Sequence, residues 1–109
     1  MNDIALLIQK ILQFRDERDW KQFHNAKDLA IALSLEASEL LELFLWKSAT
    51  EADIDKVKKE LADVLIYAFL LADKYQLDIK EIINSKLQEN AAKYPVDKAK
   101  GKAKKYTEL

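Results

Sequence analysis

Two stretches of this chain are apolar enough to be buried, yet each carries acids that resist burial. Residues 29–46 read LAIALSLEASELLELFLW, thirteen apolar residues with two serines and three glutamates. Residues 61–72 read LADVLIYAFLLA, with Asp63 as the only charge. The acids form two matched pairs, Glu36-x-x-Glu39 and, after a gap of twenty residues, Glu60-x-x-Asp63. Taking an ionised carboxylate out of water is costly unless something positive meets it. Neither stretch contains Lys, Arg or His, although Lys58 and Lys59 precede Glu60. A bound divalent cation would satisfy all four acids, because carboxylate oxygens are what a hard ion selects.

The rest of the chain favours helices. It has 109 residues, one Gly and one Pro, and is half apolar, which suits a single small all-α domain better than a turn-rich sheet protein. Ile4, Leu7, Ile8, Ile11, Leu12 and Phe14 make a helical stripe that ends near Asp19. A polar-aromatic connector with Trp20, Phe23 and His24 follows. Asn25 with Asp28, Thr50 with Asp53 and Asp78 with Glu81 resemble capping boxes. They open helix two, running to about Lys47, helix three, running to about Lys74, and helix four. Pro95 closes the regular part. The expectation is a four-helix all-α bundle over residues 1–95 with a basic tail over 96–109, and no linker between them.

Several function classes drop out. Without cysteine there are no disulfides or thiolate metal sites, and the single histidine, His24, excludes an HExxH motif. The N-terminus does not read as a signal peptide, so a cytoplasmic home is expected. The 29–46 run is long enough to span a membrane, but its three glutamates would each cost roughly 2.5–3.5 kcal/mol there. From Lys93 onward six lysines face two acids, a surplus of +4 against −5 in the remainder. Such a tail could reach a phosphate backbone or remain a solvated terminus; no stable nucleic-acid partner is expected.

Spacing brings the acids together. Residues three apart share a helix face. Glu36 shares its face with Leu29, Leu33 and Leu40, and Asp63 has Tyr67 one turn on. A short loop near residues 48–52 makes helices two and three antiparallel neighbours, so their acids can meet at one level. The alternative is an amphipathic bundle with solvated glutamates, in which Lys59 pairs with Asp63. A di-iron bundle would need Glu-x-x-His, which is missing, so Mg²⁺ or Mn²⁺ is expected. Helix three is apolar nearly all round, with Val57, Leu61, Val64, Leu65 and Leu71 on one side and Ile66, Phe69 and Leu70 on the other. Helix two has Ile31, Leu35 and Leu45 off its main stripe. Such helices must be surrounded, which calls for an oligomer.

The acid arrangement resembles the signature of the MazG-like all-α nucleoside triphosphate pyrophosphohydrolases. RDERDWKQFHNAKDLAIALSLEASELLELFLWK, ELADVLIY, KYP and KYTEL are similar to the dCTP pyrophosphatase branch, over about residues 10–109. The resemblance implies Mg²⁺-dependent cleavage of a deoxynucleoside triphosphate, dCTP or a modified cytosine nucleotide, to monophosphate and pyrophosphate. Its expected role is cleansing or balancing the nucleotide pool. The same chemistry on dUTP or another noncanonical triphosphate is the alternative enzyme reading; a non-catalytic helical interaction module is the alternative of another class. The resemblance further implies metal ligands at Glu36, Glu39, Glu60 and Asp63, which also carry the catalysis. It implies a base pocket at Trp20, His24 and Trp46, and substrate contacts at Tyr67, Lys86 and Asn90. Beyond Asn90 the chain departs from relatives that carry an Arg-rich stretch, having Ala91, Ala92 and Lys93. A homotetramer built as a dimer of dimers is implied. Its sites would combine metal carboxylates of one chain with base or phosphate contacts of a neighbour.

Overall fold

Each of the four long helices begins on a polar side chain that satisfies an otherwise orphaned backbone N–H. The structure, a computed structural model, describes residues 2–109. Helix α1 (Asp3–Glu17) is capped by Asn2, whose Oδ1 accepts from Ala5 N–H at 2.8 Å. Helix α2 (Ala26–Glu42) is capped by Asn25, which accepts from Asp28 N–H at 2.8 Å and donates to the Asp28 carboxylate at 2.7 Å. Helix α3 (Ile54–Lys74) starts at Asp53 and α4 (Ile79–Lys93) at Asp78, each carboxylate accepting a backbone N–H at 3.0 Å. A single 3₁₀ turn, Lys21–Phe23, joins α1 to α2.

Three boundaries differ from expectation. Helix α2 stops at Glu42 instead of near Lys47. Its last turn tightens, with Phe44 and Leu45 N–H bonding three residues back at 3.0 and 3.1 Å, and Trp46 then takes a left-handed φ of 61°. The apolar pattern continues there, but i→i+3 bonding breaks the ladder. Helix α3 is opened by Asp53 itself, the Thr50 hydroxyl meeting Ser48 Oγ at 3.3 Å instead. Pro95 does not end regular structure: it precedes a short helix, α5 (Val96–Ala99).

The chain divides into two compact units, the first ending at Gln76 and the second starting at Leu77. In the first, α3 packs chiefly on α2 and also on α1. Leu29 and Leu70 are buried there, and among the described residues the one buried charge is Arg15, 7% exposed. In the second unit the tail folds back on the end of α4. Tyr106 meets Tyr94 edge-on at 6.0 Å, and the Lys93 ammonium lies 5.0 Å from the Tyr106 ring centroid. Among the described residues no helix is long and apolar enough to cross a membrane.

Candidate metal and nucleotide site

Antiparallel packing of α2 on α3 gives the acid spacing its meaning. A step of three residues forward from Glu36 reaches Glu39; a step of three back from Asp63 reaches Glu60. The two motifs therefore advance in opposite directions along neighbouring helices and stay level. Carboxylate oxygens of Glu36, Glu60 and Asp63 lie within 4.8 Å of one another. Glu39 is more exposed, yet close enough that its carboxyl raises the pKa of both Glu36 and Glu60.

These acids lack cationic partners. Among the described residues no Lys, Arg or His forms an ion pair with any of the four, so Lys59 does not pair with Asp63. One oxygen of Glu36 and one of Glu60, each Oε2, is buried without a hydrogen-bond partner. Burial pushes the Glu36 carboxyl up to about 7, helped by a hydrogen bond shared with Glu39 and by the charges of Glu39, Asp63 and Glu60. Glu60 is raised for the same kinds of reason. Crowded carboxylates with orphaned oxygens fit a hard divalent cation, whose charge would offset their mutual repulsion.

Beside the acids α1, the connector, α2 and α3 enclose a cavity of about 440 Å³. Its wall includes Glu36 and Asp63 together with Trp20, His24 and Tyr67. Trp20 is held edge-on by Phe14 at 5.8 Å, and the Arg18 guanidinium lies 3.6 Å from the centroid of that Phe14 ring. An aromatic face fixed in this way suits a flat base. His24 is half-buried, and its Nδ1 has no hydrogen-bond partner. Burial first, then the charges of Arg15 and Lys74, lower its pKa, which keeps the imidazole neutral near pH 7.

Three expected substrate residues do not line this cavity. Trp46 stands on the α2–α3 loop, 94% exposed. Lys86 and Asn90 lie on α4 in the second unit, where Lys86 pairs with Glu89 at 3.3 Å and the Asn90 carbonyl accepts from Tyr94 N–H at 2.8 Å. Conversely, Lys10 and Arg15 line the cavity and were not anticipated from the sequence. The signal for Arg15 was its phase: it stands four residues after Ile11 and three after Leu12, inside the apolar stripe of α1.

The profile of the MazG-like family matches residues 31–109. Mouse dCTP pyrophosphatase 1 is 42% identical over 105 residues, covering 89% of this chain and 62% of the mouse protein. The human dCTP pyrophosphatase 1 is 39% identical over the same shares of each. The chain thus spans less than two thirds of the length of these curated relatives. Among solved structures, a pyrophosphatase from Archaeoglobus fulgidus is similar at a TM-score of 0.81 and 34% identity, covering 87% of this chain and 94% of that one. With the paired acids level on adjoining helices and the match extending over most of its length, the chain belongs to the MazG-like family.

Proposed function

We propose that the chain hydrolyses a deoxynucleoside triphosphate, dCTP or a modified cytosine dNTP, to the monophosphate and pyrophosphate. The observation that carries this reading is one cavity whose wall holds Glu36 and Asp63 of the acid cluster together with a Trp-His-Tyr set suited to a base. The similarity to the mouse and human dCTP pyrophosphatases supports the choice of dCTP. Glu36, Glu60 and Asp63 hold Mg²⁺, or Mn²⁺, with Glu39 completing the set from the more exposed side. When bound, the ion supplies the positive charge that lets a triphosphate approach four carboxylates.

The chain's own groups do the rest. Trp20 offers a stacking face and Tyr67 a second aromatic wall, while neutral His24 presents a ring nitrogen, as donor or acceptor according to tautomer, to a base edge. A carboxylate left free of the ion accepts the proton of the attacking water as the α–β phosphoanhydride bond is cleaved. Trp46 does not line its own chain's cavity, so its base contact is supplied to a neighbouring copy in a homotetramer. The setting is the cytoplasm, and the role is cleansing of the nucleotide pool. Pyrophosphate release measured across all common dNTPs, with and without Mg²⁺, tests the reading. Metal-dependent release fastest with dCTP is expected; no release from any triphosphate would end it.

A further inference from the structure

Arg15 stands out among the residues that line the cavity. Its guanidinium is buried, yet the rest of the cavity wall offers it no acid that it pairs with. Its partners are Asp16, whose Oδ1 accepts from Nε at 2.9 Å and lies 2.8 Å from one terminal nitrogen, and Asp73 of α3, whose Oδ2 lies 3.5 Å from the other. A guanidinium carries five N–H donors in a planar fork. Two of the five N–H make hydrogen bonds, one from Nε to Asp16 and one from a terminal nitrogen to Asp73, which leaves three without an acceptor among the described residues. Buried donors left open are costly unless a ligand accepts from them.

We propose that Arg15 selects the base, donating from its guanidinium to the adjacent acceptors N3 and O2 of cytosine. This rests on the deoxynucleotide reading of the cavity. A phosphate is the poorer acceptor here, because Asp16 and Asp73 already offset the charge of Arg15 and would repel an anion. The neighbouring Phe14, Ile66 and Leu70 side chains favour a neutral ring. Cytosine presents two neighbouring acceptors on this edge, which suits a bidentate fork. Uracil and thymine carry N3–H at the same place, so donor would meet donor. Asp16 and Asp73 hold the planar group, so that little freedom is lost when the base arrives.

The test is calorimetric binding of dCMP and dUMP to the full chain with Mg²⁺, for the wild type, R15M and R15K, alongside the ratio of dCTP to dUTP turnover. The expected result is a wild-type preference for dCMP that falls by about 5- to 150-fold in both variants, the range for one bidentate base contact. R15K keeps a charge beside Asp16 and Asp73 but cannot present a fork, so it decides the matter if R15M does not fold. An unchanged preference in R15K, or a wild type that does not prefer dCMP, overturns the proposal. If dCMP preference depends on Arg15 but no triphosphate is turned over, the hydrolytic reading falls and this one stands. If dCTP is turned over preferentially and the variants keep the wild-type ratio, the reverse holds.

Discussion

At the residue scale, Glu36 ties stability to pH and to metal. Its carboxyl rises from 4.5 in the unfolded chain to about 7 in the fold. Between those values the folded protein holds a proton that the unfolded chain has released. Its contribution to stability is complete below the unfolded value and is lost as pH rises through about 7. The melting temperature of metal-free protein should therefore fall on going from about pH 5 to about pH 8, and Glu36→Gln should flatten that fall. Mg²⁺ binding near pH 7 should release a proton, seen as a calorimetric heat that changes with the ionisation enthalpy of the buffer. Replacing Glu36, Glu60 or Asp63 by its amide should abolish turnover and leave the helices intact by circular dichroism. Full activity in two of the three would remove the metal assignment.

At the element scale, two of the helix starts and the end of α3 at Lys74 were legible in the sequence, and the end of α2 was not. Asn25–Asp28 and Asp78–Glu81 behave as read, because a cap depends on residues a few positions apart. Asn25→Ala or Asp78→Ala should each lower stability by about 1 kcal/mol, measured by urea denaturation. The end of α2 was missed because apolar residues continue past Glu42 while the hydrogen bonds tighten. That loop leaves Trp46 exposed in left-handed backbone, which costs a non-glycine residue about 1–2 kcal/mol. Trp46→Gly should thus keep or raise the stability of the isolated chain, yet weaken nucleotide binding by about 1–3 kcal/mol, as a lost stacking face would. Trp20→Ala should weaken both, because Trp20 also packs against Phe14.

At the scale of the whole molecule, a single chain leaves too much apolar surface uncovered. Leu35 on α2 and Leu65 on α3 remain 60% and 48% exposed, and Ile31 and Leu61, each four residues earlier on the same helix, are exposed as well. Patches of this kind mark an interface, and closed symmetric assembly is the common way to cover one. Light scattering should give a tetramer at micromolar concentration, and Leu35→Glu or Leu65→Glu should dissociate it. The complementation expected from shared sites is narrower than the sequence suggested. Trp20 lines the same chain's cavity as Glu36 and Asp63, so a Trp20 variant should not be rescued by a Glu60 variant. Mixing Trp46→Gly with Glu60→Gln should restore some activity once subunits exchange; no recovery would place Trp46 outside the site.

The sequence determined the helical class, two of the helix starts and the meeting of α2 and α3. All of these follow from nearest neighbours: periodicity, caps and a short loop between two matched motifs. It also held the acid cluster, since two pairs at helical spacing on antiparallel helices must come level. The tertiary structure decided what depends on approach from outside those helices. Arg15 became a cavity residue because α1 lies against α3 and brings it to Asp73. Trp20 and His24 joined the acids because one 3₁₀ turn folds the connector beside them, whereas Trp46, adjacent in sequence to α2, was carried off by a tightened helix end. Local bonding energies are written in neighbouring residues; which side chains share a cavity depends on how whole helices cross, and no short window of sequence contains that.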